Sequence, residues 1–119
     1  MSASARQAAT GHWLIQRVSA VMIMLLGGWF IATLLGLTGL ENMEYASVKA
    51  FFSQPINAAL IGLLTVTLAY HSSLGIQVVL EDYVHDRKLN RVSLRMSQLA
   101  HSLVALACVV AIVRIGMIA

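Results

Sequence analysis

Charged residues punctuate this chain at long intervals. No Asp, Glu, Lys or Arg occurs between Arg17 and Glu41, between Lys49 and Glu81, or between Arg95 and Arg114. The gaps are almost wholly apolar, and about 20 such residues in an α-helix cross a bilayer core of roughly 30 Å. The first gap, VSAVMIMLLGGWFIATLLGLTGL, predicts a span over 18–40. The second gap is longer than a crossing needs. Pro55 suits the first turn of a helix, so this span is expected over 56–82. The third covers 96–117, with Arg114 able to extend its charge to the far interface. The expected fold is all-α: an integral membrane protein of three transmembrane helices, one domain over residues 1–119.

Composition agrees. Hydrophobic residues make up 59% and charged residues 11% of the 119, against roughly 25% charged in a soluble domain. A soluble fold of this size has too few polar groups here to cover its surface. The single cysteine, Cys108, excludes an internal disulfide and a cysteine-based metal site. The net charge of +3 comes without a basic stripe interleaved with aromatics, so no nucleic-acid partner is expected.

Basic residues instead report topology. Arg6, Arg17, Arg87, Lys88, Arg91 and Arg95 fall on one side of the expected spans, Lys49 and Arg114 on the other. That asymmetry puts the N-terminus and the second loop in the cytoplasm. No signal peptide is expected, because the first apolar run is too long and lacks a small-residue cleavage site. No internal repeat, low-complexity segment or interdomain linker stands out.

The second span is where chemistry enters. In HSSLGIQVVLEDYV, His71, Gly75, Val78 and Asp82 recur at i, i+4, i+7 and i+11, one face of a helix. His71 and Asp82 are then about 16 Å apart along the axis. With Glu81 and Asp82 at the membrane border, His71 lies near the bilayer midplane, where an ionisable group needs a partner away from lipid. Three roles fit it. It can hydrogen-bond across helices as packing, with Ser72, Ser73 or Thr67 near by. It can relay protons, although no further ionisable residue lies within two turns on this helix. It can give a neutral imidazole to haem iron, and Gly75, one turn away, would let a flat macrocycle approach the backbone. Gly75 also suits ordinary small-residue helix packing.

His101 is the other histidine within a span. Counted from Arg95 and Glu81, it should lie about 9 Å deep against about 15 Å for His71. Trans axial ligands need matching depth, so a second haem ligand is expected from another chain. Asp82 and Tyr83 carry two readings. Tyrosines commonly mark membrane interfaces, yet acidic residues at a helix C-terminus oppose the macrodipole. A phenol backed by a carboxylate can hold a quinone carbonyl and assist its protonation.

HSSLGIQVVLEDYV resembles the H-x3-G-x6-D-Y signature of the small D-type membrane-anchor subunit of succinate dehydrogenase, the succinate:quinone oxidoreductase of respiratory complex II. HWLIQRVSAVMIMLL, residues 12–26, is similar to that family's N-terminal motif, an Arg followed closely by Ser/Thr-Ala. The resemblance covers nearly the whole chain, though the third helix contributes little to it. It implies that His71 is an axial ligand of haem b, in a bundle formed with a C-type cytochrome b anchor subunit. It implies that Tyr83 donates to ubiquinone with Asp82 supporting the pocket, and that Arg17 pairs with a haem propionate, assisted by His12. Gly75 would give the haem its approach. FAD and iron–sulfur clusters would belong to a flavoprotein and an iron–sulfur subunit anchored at the cytoplasmic face. The location would be a bacterial inner membrane, with the C-terminus periplasmic. Trp13 reads as an interfacial anchor and His85 as a loop residue. The Arg87–Arg95 segment is a topology determinant that also suits anionic lipid or an acidic partner. Two alternatives stay open: a fumarate reductase anchor working with menaquinol, and a small non-redox membrane protein with His71 as packing.

Overall fold

A computed structural model describes residues 2–36 and 42–118, the last by its backbone. The described residues form four α-helices and a closing π-helical turn: α1 (Ala3–Leu34), α2 (Tyr45–Ser53), α3 (Pro55–Tyr83), α4 (Arg87–Val113) and the turn Arg114–Ile118. Three of these, α1, α3 and α4 with its extension to Met117, are long and apolar enough to cross a membrane. The all-α, three-span expectation holds.

The helices run past the apolar windows because caps, not charges, end a helix. Ser2 Oγ accepts from the Ala5 N–H at 3.2 Å and starts α1 well before residue 18. Its 32 residues reach about 48 Å, more than a bilayer core. Gly36, at φ 76°, turns the chain out of α1, a left-handed conformation that glycine adopts without a Cβ penalty. Residues 37–40 of the expected first span lie outside the described residues. Pro55 opens α3 as expected. Asp86 Oδ1 accepts from the Leu89 N–H at 2.7 Å, so α4 starts at Arg87 rather than at 96. Arg, Lys and Leu are good helix formers, and the third span simply extends out of the apolar zone.

Short α2 lies in what the charge pattern leaves as a loop. Its Phe51 is buried and heads a cluster with Ile61, Trp29, Phe30, Val48, Phe52 and Ile112. Phe51 stacks on Trp29 with ring centroids 6.1 Å apart and meets Phe52 edge-on at 5.5 Å. Asn57 Nδ2 donates to the Phe51 carbonyl at 3.1 Å, tying α2 to α3. Gly116 closes the cluster. A Cβ there would collide with the Phe52 carbonyl.

Helix α3 is the middle element and packs against both α1 and α4. It buries Ile61, Leu64, Thr67 and Leu74, whereas α4 buries no residue. Most large apolar side chains of all three long helices face outward. Such a surface is stable only in lipid or against further apolar helices.

Candidate functional site

Ser19 and His71 meet where α1 crosses α3. Ser19 is 6% exposed, and its Oγ lies 2.8 Å from His71 Nδ1. The same hydroxyl donates to the Gln16 carbonyl at 3.0 Å. A hydroxyl has one hydrogen and two lone pairs. With that hydrogen on Gln16 O, Nδ1 carries the imidazole proton and donates to Ser19 Oγ. The Nε2 lone pair is then left over. Nε2 has no hydrogen-bond partner among the described residues and, unlike His12 Nε2, is not enclosed. Gly75 follows one turn on. A Cβ built there would meet nothing within 4 Å, as at Gly27, Gly28 and Gly62. What distinguishes Gly75 is its place beside His71; no packing within this chain requires it.

On α1, His12, Gln16 and Ser19 follow at i, i+4 and i+7, on one face. His12 Nε2 and Gln16 Oε1 are enclosed and have no hydrogen-bond partner among the described residues, an arrangement that costs about 1–3 kcal/mol per group unless something supplies the bond. Arg17 lies about 140° round the helix from His12. It is exposed, with its guanidinium carbon 5.3 Å from the centroid of the Trp13 ring, a cation–π arrangement. The fold therefore brings His12 towards the His71 side of α1 and leaves Arg17 on another face.

His101 is held differently. Its Nδ1 lies 2.8 Å from the Ser97 carbonyl, which can only accept, so Nδ1 is protonated. Its Nε2 must then accept from Ser72 Oγ, at 3.1 Å. Contact with Ser72 puts His101 at nearly the depth of His71. The expected mismatch in depth is not found, because depth counted from Arg95 ignores how far α4 runs before it meets α3. Both ring nitrogens of His101 are bonded within the chain.

Asp82 and Tyr83 close α3, and Tyr83 is 78% exposed. Neither makes a side-chain hydrogen bond to the described residues, whereas Glu81 accepts from Gln77 Nε2 at 2.8 Å. The turn behind them is braced. Asn90 Nδ2 donates to the Leu80 carbonyl at 2.8 Å and to the Val84 carbonyl at 3.0 Å; the first already accepts from the Val84 N–H, and the second lies past the helix end, where no intrahelical donor reaches it. Ser19 and Asn90 were missing from the sequence-based candidates. Ser19 sits inside the RVSA stretch, but nothing local shows that it meets a residue 52 positions away. Among the described residues no three of His, Cys, Asp or Glu converge; within a span, His71 is the histidine that keeps one nitrogen tethered and the other open.

Comparison with known proteins places this geometry in context. Residues 2–113 match the family model described as succinate dehydrogenase/fumarate reductase transmembrane subunit. The succinate dehydrogenase hydrophobic membrane anchor subunit of Rickettsia typhi is 35% identical over 112 residues, covering 93% of this chain and 86% of that protein. That of Rickettsia bellii is 31% identical over 101 residues, covering 85% and 78%. No solved structure matches.

Proposed function

Because the chain belongs to the succinate dehydrogenase/fumarate reductase transmembrane subunit family, we propose that it is the hydrophobic membrane anchor of a succinate dehydrogenase, holding half of a haem b site and part of a ubiquinone site. One observation carries the reading: His71 is tethered through Nδ1 to Ser19 while its Nε2 is free. A ligand imidazole needs this arrangement, with one nitrogen fixed and the other available to metal. The residues present fit a haem. His71 Nε2 would ligate the iron, Gly75 leaves room one turn away, and His12, on the same face of α1 as Ser19, would turn its Nε2 outward to donate to a propionate. Arg17 can swing from the Trp13 ring to a carboxylate on its own face of α1, for which its planar fork is suited. When bound, the haem supplies one-electron chemistry; this chain's residues orient it and balance its charge.

A further imidazole to hold the haem would come from a partner, the C-type cytochrome b anchor subunit, since both ring nitrogens of His101 are bonded within this chain. Asp82 and Tyr83 stand exposed at the end of α3 beside the basic turn, with no side-chain hydrogen bond among the described residues that would have to break. Tyr83 would donate its phenol hydrogen to a quinone carbonyl, and Asp82 would hold that phenol's orientation. The flavoprotein and iron–sulfur subunits, with FAD and clusters, would sit on this basic, cytoplasmic side, the N-terminus with them and the C-terminus periplasmic, in a bacterial inner membrane. Electrons drawn from succinate would then reach quinone close to Tyr83.

A reduced-minus-oxidised absorbance spectrum of the purified complex tests the haem assignment. A b-type band is expected and is expected to vanish in His71→Ala; its survival unchanged would refute the ligand. For the quinone site, Tyr83→Phe removes one neutral hydrogen bond of about 0.5–1.5 kcal/mol. Quinone reduction should slow about 2- to 10-fold, with succinate oxidation by artificial dyes nearly intact. Equal loss of both activities would sink the assignment.

A further inference from the structure

Ser19 is the residue through which α1 reaches the ligand on α3. We infer that it is a positioning residue for His71, setting which ring nitrogen is free and how strongly that nitrogen donates to iron. This deepens the haem reading and rests on it.

The argument starts from the hydrogen count. Neutral imidazole exists as two tautomers, and only the nitrogen without the proton can bind metal. An isolated histidine on α3 would be free to choose either tautomer and to rotate about its side-chain bonds. Ser19 removes both freedoms. Its hydroxyl hydrogen is committed to the Gln16 carbonyl, 3.0 Å away, so towards His71 the oxygen presents lone pairs, at 2.8 Å from Nδ1. Only a protonated Nδ1 satisfies that contact. The bond to Gln16 also fixes the Ser19 rotamer to the backbone of α1, and at 6% exposure no solvent competes for it. A side chain held in this way places the imidazole plane relative to α1 as well as to α3.

Electronic consequences follow. Donation from Nδ1–H to an acceptor pushes electron density towards Nε2 and makes it the more basic ligand, which favours ferric over ferrous iron. An alanine at 19 keeps the helix and the packing but deletes the acceptor. The imidazole then rotates more freely and partly populates the wrong tautomer.

The test uses the intact detergent-solubilised complex carrying Ser19→Ala, Ser19→Thr and His71→Ala. Loss of such an outer partner typically weakens metal affinity about 10–100-fold. Ser19→Ala should therefore release haem about 10-fold more readily to apomyoglobin, raise the midpoint potential of the remaining haem, and broaden its low-spin ferric EPR signal. Ser19→Thr, which keeps a hydroxyl able to bond the preceding turn, should restore both potential and EPR signal towards wild type. Chain abundance in the membrane serves as the folding control. If Ser19→Ala matches wild type in haem release, potential and EPR signal, the positioning role is wrong, even with His71 confirmed. If Ser19→Thr behaves as Ser19→Ala at normal abundance, the hydroxyl is not the active feature and the proposal also falls. Survival of the haem band in His71→Ala overturns the ligand reading itself, a separate failure.

Discussion

Two histidines lie at nearly the same depth in this bundle, one on the central helix α3 and one on α4, and they are held in opposite ways. His71 reaches across to α1 and spends one nitrogen on Ser19. His101 reaches from α4, spends Nε2 on Ser72 and Nδ1 on the carbonyl of Ser97. Depth, residue type and partial burial are alike. The difference lies in the count of satisfied nitrogens. A histidine with both nitrogens bonded is packing: it ties two helices together and has nothing left to offer. One with a single tethered nitrogen is oriented and still reactive.

The comparison breaks most sharply if the roles are exchanged. His101→Ala should leave the b-type band at full intensity while His71→Ala removes it. Loss of the band in both variants at normal chain abundance would mean that the hydrogen-bond count does not discriminate them. A smaller effect is expected at the turn that carries Tyr83. Asn90→Ala leaves the Leu80 and Val84 carbonyls without their side-chain donor, a cost of about 1–3 kcal/mol. It should speed amide exchange at the end of α3 and weaken quinone reduction without altering the haem spectrum; a change confined to the haem would contradict this division of labour. Smallest of all is Ser72→Ala. Hydrogen bonds between membrane helices are worth about 0.6 kcal/mol on average, so thermal stability should barely fall and every haem property should stay put.

The aromatic cluster beyond the two histidines makes a related point. Phe51, Phe52 and Trp29 pack at the end away from the basic turn, where α2 folds back beneath Gly116. That apolar packing lies at the opposite end of the bundle from Asp82 and Tyr83.

Much of this was readable along the chain, because a membrane imposes a one-dimensional constraint. Charge-free runs of sufficient length must span as helices, and their number follows from counting. Pro55 marked a true helix start, and the three-to-four spacing put His71, Gly75 and Asp82 on one face, since helical periodicity depends on local geometry alone. Helix ends were less visible, because Ser2 and Asp86 cap through single hydrogen bonds that carry no apolar signal. Helix α2 was hidden by its brevity and by the lone Lys49. Depth along α4 was misjudged for the same reason that its start was: the apolar window is not the helix.

What the amino-acid sequence determined by itself, then, was the set of spans, the class of the fold and the candidacy of His71, because each depends on hydrophobicity or on neighbours within a few turns. Only the tertiary structure decided which of two half-buried imidazoles has a free nitrogen. That depends on Ser19 and Ser72 arriving from other parts of the chain, 52 and 29 residues away from their partners, and a hydrogen bond between distant residues leaves no periodic trace in the sequence.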